Sequence, residues 1–440
     1  MIWFLACAVD GTAPVTTPGG NEPPLDGDRT VADADATLHG PVGGGTVRGA
    51  DLDGDGFGEL ILGTPESEAL PGAVTIATGP PHGEVAGAAV WTGGSAWDHA
   101  GYALAIGDLD GNGDADLAIG AFTADDGAVD GGSVYIVPDG AGGSLADAPA
   151  VVVDDVAQNQ SGVAVGIGGW LGRPTLAVGA CLDDTSGADA GGVYLFGLPV
   201  SGGVRVADAA ALVTGQSPGD AAGSAFGGGD VDGDGADDLL VGSWLADGAG
   251  AEDAGAAYVV RGPITGEVSL GDAECTLTGE RAGDFAGAPV SLGGDITGDG
   301  LPDLLVGAWM NDGSAADGGA VYVTAGTCVG VIALAAAHAI VRGATAGEYL
   351  GVVDVGRGDV DGNGWDDLLV GGSGGAGRAL LFFGPIAGGT LEPDRRFFGG
   401  TSGDGVGIGV SLADLDADGL ADVLVGANVG DAYVYYGARL

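Results

Sequence analysis

Six short segments of this 440-residue chain place oxygen-bearing side chains at positions 1, 3, 5 and 9 of one frame, with glycine at or near positions 4 and 6. They are Asp51, Asp53, Asp55 and Glu59; Asp108, Asp110, Asn112 and Asp116; Asp230, Asp232, Asp234 and Asp238; Asp295, Thr297, Asp299 and Asp303; Asp359, Asp361, Asn363 and Asp367; and Asp414, Asp416, Asp418 and Asp422. Alternating oxygens around a glycine turn are what a loop needs to wrap a hard cation. Calcium accepts about six to eight oxygens in a flexible shell that mixes carboxylates with backbone carbonyls, while magnesium demands a stricter octahedron. Transition metals favour His or Cys, and these loops contain neither. The pattern implies up to six Ca2+ sites, with the carbonyl of position 7 as a further ligand. Asp-Gly pairs also make plain hairpin turns, but turns do not call for carboxylates at alternating positions six times over. The copy with Thr297 is expected to bind more weakly.

The spacing of these loops specifies the elements that carry them. Their first residues are separated by 57, 122, 65, 64 and 55 positions. The gap of 122 is two periods, and a copy without ligands sits inside it. Ile167, Gly169, Leu171 and Thr175 occupy the ligand positions there, and Leu176-Ala-Val-Gly-Ala180 continues the frame. Seven repeats result, and the copy at 167–175 should bind no metal. After each loop comes an apolar run closed by glycine, such as Leu239-Leu-Val-Gly242. A polar loop and an aromatic, β-branched run follow, such as Ala256-Ala-Tyr-Val-Val260, and then a weaker strand, such as Cys275-Thr-Leu-Thr278. Short apolar runs bounded by glycine read as strands, and no helical periodicity competes with them. Repeats of this length built from about four strands predict an all-β, seven-bladed β-propeller of four-stranded blades. Ala36-Thr-Leu-His39 matches a fourth strand and Tyr433-Val-Tyr-Tyr436 a third, so the N-terminal strand is expected to close the last blade.

Net charge is −50, from 62 acidic residues against twelve basic ones, all arginine. That field repels nucleic acid and anionic lipid and favours cations or basic partners. The 95 glycines follow no collagen period, and 45% hydrophobic content argues for a filled core. No apolar run is long enough for a transmembrane helix. Residues 1–30 read as a stub and flexible tether ahead of a propeller spanning 31–440. Met1-Ile-Trp-Phe-Leu-Ala-Cys7 resembles the end of a bacterial lipoprotein signal peptide, which makes Cys7 a candidate lipidation site. A leader needs a basic stretch and about 7–15 apolar residues, and only six residues precede Cys7. The favoured reading is a start placed too late; the other is that Cys7 carries no lipid. Cys181, Cys275 and Cys328 form no metal-type pair, and a Cys275–Cys328 disulfide is left open.

The acidic loops resemble those of the FG-GAP repeats in the integrin α-subunit propeller. The likeness rests on Gly229-Asp-Val-Asp-Gly-Asp-Gly-Ala-Asp-Asp-Leu-Leu-Val-Gly242, with Phe226-Gly227 ahead of it, and on the lead-in variants Asp98-His-Ala-Gly101, Asp284-Phe285 and Glu348-Tyr349-Leu-Gly351. It covers about residues 31–440. It implies a seven-bladed propeller with calcium between first and second strands, and an extracellular or cell-surface binding or adhesion role toward a protein or glycan ligand. Membrane contact is expected only through Cys7. The chain is not expected to be an enzyme. His39, His82, His99 and His338 fall in different repeats, and Asp98-His99 is the one adjacent acid–imidazole pair. An enzyme or enzyme-accessory propeller acting on glycans or phosphodiesters, and a structural scaffold of a surface assembly, stand as alternatives. Trp91, Trp97, Trp170, Trp244, Trp309 and Trp365 recur at strand ends or loops. They suit either an exposed binding ring or packing between blades, and packing is preferred.

Overall fold

In the computed structural model, residues 27–41, 45–65, 70–138, 142–354 and 358–440 are described. The strands form seven sheets arranged as propeller blades. Blades are numbered here by their innermost strand: Thr46–Ala50 (blade 1), Ala103–Gly107, Ser161–Gly168, Ala222–Gly229, Ala286–Leu292, Leu350–Asp354 and Gly409–Ala413 (blade 7). Blade 4 shows the plan. Ala222–Gly229 pairs antiparallel with Asp238–Ser243, which pairs with Ala256–Val260, which pairs with Cys275–Thr278. The second and third strands are buried along their whole length, because neighbouring blades cover both faces of the sheet. That is why they read as unbroken apolar runs rather than alternating ones.

Each blade has five strands, not four. On leaving its third strand, the chain of one repeat first lies parallel on the outer edge of the preceding blade. It then passes a 3-10 turn and enters its own blade as the fourth strand. Gly330–Ala333 thus pairs with Cys275–Thr278 of blade 4, and after Leu334–Ala336 the chain forms Ala339–Arg342 of blade 5. These outer strands are two to four residues long, and Gly-Val-Ile-Ala is exposed or half-buried throughout. With no face to bury, they carry no periodic signal, which is why four strands were expected. Their role is to cover a sheet edge.

The ring closes as expected. Ala36–His39 pairs with Asp431–Tyr435 as the fourth strand of blade 7. The propeller, however, begins before residue 31. Arg29–Thr30 lies on Arg395–Phe398 as the outer strand of blade 6, and Asp28 pairs with Arg396 at 3.2 Å. Residues 29–39 therefore do what residues 330–342 do elsewhere in the ring. Cys7 lies outside the described residues.

The glycine that closes each second strand packs against the backbone of the next blade. A Cβ on Gly242 would lie 1.9 Å from the Gly287 carbonyl oxygen, one on Gly179 2.1 Å from that of Gly223, and one on Gly426 2.5 Å from that of Gly45 across the ring seam. Only glycine admits that approach. Cys275 and Cys328 form a disulfide with a Cα–Cα distance of 5.7 Å, which joins blade 4 to the segment leading out of blade 5's third strand. Cys181 is a buried free thiol, and burial pushes its pKa up to about 12, so it stays protonated and unreactive.

Candidate metal centres

Each acidic loop links the first strand of its blade to the second, so all lie on the same face of the propeller. Position 1 organises the turn. In blade 6, Asp359 accepts bonds from the amides of Gly362 and Gly364, each at 2.7 Å, and both glycines hold positive φ, at +76° and +90°. Position 3 accepts from the amide of residue 5, and position 5 from that of residue 7, as Asp361–Asn363 (3.1 Å) and Asn363–Trp365 (2.9 Å) show. The position-5 asparagines offer the same carbonyl-type oxygen as the aspartates; Asn112 accepts from Asp114 at 2.6 Å.

Position 9 is the buried hub. Glu59, Asp116, Asp238, Asp303, Asp367 and Asp422 are all at most 2% exposed. Each accepts from the amide of position 2 in its loop. In four blades the second oxygen reaches the third-strand exit, at Gly79, Gly262, Gly384 and Gly437. Burial, with like charges nearby in most loops, raises all six pKa values. Asp303 and Asp367 are pushed up to about 6, and Asp422 to about 7. Carboxylates crowded this way are destabilised when charged, and a cation among them reverses the effect.

Among the described residues, five loops bring three carboxylates within 4.8 Å of one another: Asp51, Asp53 and Glu59; Asp108, Asp110 and Asp116; Asp230, Asp232 and Asp234; Asp359, Asp361 and Asp367; Asp414, Asp416 and Asp422. These sets are all-oxygen and could hold a metal ion. Asp55, Asp238 and Asp418 stand outside them. The loop of Asp295, Thr297, Asp299 and Asp303 forms no such triad; the Thr297 hydroxyl donates to Asp303 at 3.0 Å instead. In blade 3, Trp170 fills the frame. Its ring is 1% exposed, and its indole N–H donates to the Asp238 carbonyl at 3.0 Å.

Two structural residue sets escaped the sequence reading. Position 2 (Leu52, Leu109, Val231, Ile296, Val360, Leu415) is buried in every acidic loop, and its unvarying aliphatic character was a legible signal. Arg261, beside the blade-4 loop, had none.

The histidines hold structural contacts. His39 bonds Asp431 at 2.7 Å and also contacts Glu84. His82 packs on Tyr436, and His338 faces the Ile386 carbonyl at 3.3 Å. In the Asp98-His99 pair, Asp98 accepts from the Ser95 amide at 2.6 Å while His99 Nδ1 faces Thr123 Oγ1 at 2.5 Å. Trp91, Trp170 and Trp244 are buried, and Trp309 is half-buried and stacks on Phe285. Trp97 and Trp365 are 46% and 38% exposed.

Residues 100–137 and 287–324 match the FG-GAP repeat. The chain carries FG-GAP repeats in a seven-bladed β-propeller, an arrangement consistent with the integrin α-type propeller and with a generic binding or scaffold role. No curated protein matches it. Among solved structures, a complex of BBS1N with ARL6DN, soaked with mercury, aligns at 13% identity over 91% of this chain and 93% of that one, with a TM-score of 0.46. FG-GAP repeats are typical of extracellular domains, and among the described residues no helix is long and apolar enough to cross a membrane. The two matches begin at Ala100 and Gly287, at the entry to the first strands of blades 2 and 5. Ala100, Ala222 and Ala286 each bridge the glycine before a third strand, whereas Phe226 lies further along its strand and packs edge-on to Trp170.

Proposed function

We propose that this protein is a calcium-stabilised extracellular binding module rather than an enzyme. The observation that carries the reading is the convergence of three carboxylates in five loops of a repeat type that often binds Ca2+. An all-oxygen donor set with carbonyls to spare suits calcium best. Asp51, Asp108, Asp230, Asp359 and Asp414, with their partners at positions 3, 5 and 9, would hold the ions. The ion's chemistry there is structural: it neutralises the loop and ties the first strand to the third-strand exit through position 9. The Cys275–Cys328 disulfide supports an oxidising compartment.

Chelation tests the metal. Calcium at about a thousand times its dissociation constant stabilises by about 4 kcal/mol per site, so EGTA should lower Tm by many degrees and added calcium should restore it. An unchanged Tm ends the calcium reading. A protein or glycan ligand is the partner we favour, and calcium-dependent capture of a surface protein or glycan tests it. Turnover of glycans or phosphodiesters in an activity screen would move the function to the enzymatic alternative.

A further inference from the structure

The six acidic loops are not equivalent, and the blade-4 loop differs in kind. Its position-9 carboxylate, Asp238, meets the guanidinium of Arg261, with Nη1 2.8 Å from Oδ2. Arg261 Nε lies 3.6 Å from Asp232 and 3.3 Å from Glu274. One arginine thus spans two of the four ligand positions and a third acid beside them. In the other four triad loops the position-9 carboxylate belongs to the triad; here Asp234 takes its place. The residue in front of the bonded third-strand-exit glycine is Arg261 in blade 4, but Thr78, Phe383 and Tyr436 in blades 1, 6 and 7. No charge stands at those three positions.

Resting on the calcium reading, we propose that Arg261 is the resident cation of the blade-4 loop. It neutralises Asp238 and Asp232, holds the loop in shape without metal, and leaves a weaker divalent-cation site than those of blades 1, 2, 6 and 7. A guanidinium stays charged at any working pH, so no proton can release it. An incoming dication meets its positive charge and loses Asp238 as a ligand. Interactions of this kind shift ionic equilibria by about tenfold or more. The same blade carries the Cys275–Cys328 disulfide, one residue beyond Glu274. Blade 4 is therefore fastened by covalent and internal ionic links where blades 1, 2, 6 and 7 would use an ion.

The test uses the full chain, with calcium titrated against a chromophoric chelator and Tm measured in EGTA. Arg261→Met keeps much of the aliphatic stem and removes the charge. It should tighten one weak site at least about tenfold and lower Tm in EGTA. Arg261→Lys should stay near wild type in both measurements. Arg261→Met/Asp238→Asn, which removes both charges, should recover the Tm lost in EGTA. The proposal is overturned if Arg261→Met changes neither readout, if Lys behaves like Met, or if the double variant recovers nothing. Should no variant and no wild-type protein bind calcium, the calcium reading fails by itself. The EGTA Tm series then still decides whether Arg261 holds the loop.

Discussion

The blade-3 loop and the blade-6 loop join the same two strands in the same frame and are held by opposite means. In blade 6, carboxylates do the bonding: Asp359 gathers the amides of Gly362 and Gly364, and buried Asp367 ties the Val360 amide to that of Gly384. In blade 3, Trp170 fills the space. The Thr175 hydroxyl accepts from the Leu171 amide at 3.4 Å and donates to the Arg173 carbonyl at 2.7 Å, and the Gly172 amide donates to the Gly169 carbonyl at 2.7 Å. Both strand pairings persist, each with one shift of register, between Ser161 and Ala164 in blade 3 and between Leu350 and Val352 in blade 6. The blade needs a filled, hydrogen-bonded connection, and either an apolar ring or a charged cluster supplies one. Only the charged version brings repulsion that a cation would relieve.

Four substitutions or conditions probe that difference. Trp170→Ala should cost about 3–5 kcal/mol, as for other large-to-small core changes, equally in calcium and in EGTA; a calcium-dependent loss would mean blade 3 shares in the metal chemistry. Asp361→Asn should remove one calcium site and lower Tm in calcium by the contribution of that site, about 4 kcal/mol near saturation. In EGTA it should be neutral or slightly stabilising, since it relieves like-charge crowding. A second measurement of the same loop is terbium luminescence, which Trp365 at position 7 should sensitise and Trp365→Phe should abolish. Ala417 stands where the other acidic loops have glycine, at φ +60°. Ala417→Gly should stabilise by about 1 kcal/mol, visible in chemical denaturation with or without calcium.

The smallest effect is expected at the ring seam, which like blade 3 is joined without metal. The hydrogen bonds to Asp431, and then to Glu84, hold the His39 imidazole above its ordinary pKa. The stabilisation is therefore complete below that ordinary value and is lost as pH rises through the raised one. The side chain is more than half exposed, so solvent screening limits the loss to at most about 1 kcal/mol. His39→Gln should flatten this part of the pH–Tm profile, and an unchanged profile would remove His39 from the account of closure.

The sequence by itself determined the repeat number, the order of strands within a blade, the frame of the acidic loop and the closure of blade 7 by Ala36–His39. These are local properties: an apolar run, a glycine at a turn or an alternating carboxylate acts within a few residues and recurs with the period. Even the degenerate copy at 167–175 was legible, because the strand after it kept its pattern. Tertiary structure alone decided what depends on the neighbouring blade. The fifth strand is short, lies at the surface and buries no face, and is a strand only because the preceding blade offers it an edge. Gly242 is required by the carbonyl of Gly287, 45 residues on in the chain, and Gly426 by that of Gly45, at the other end of it. Cys275 and Cys328 meet because one repeat's outer strand lies on another's fourth. Arg261 lies 23 residues from Asp238 and 29 from Asp232 in the chain. Nothing in the spacing of charges along the sequence marks it; only the folding of the third strand back beside the loop turns an ordinary arginine into that loop's own cation.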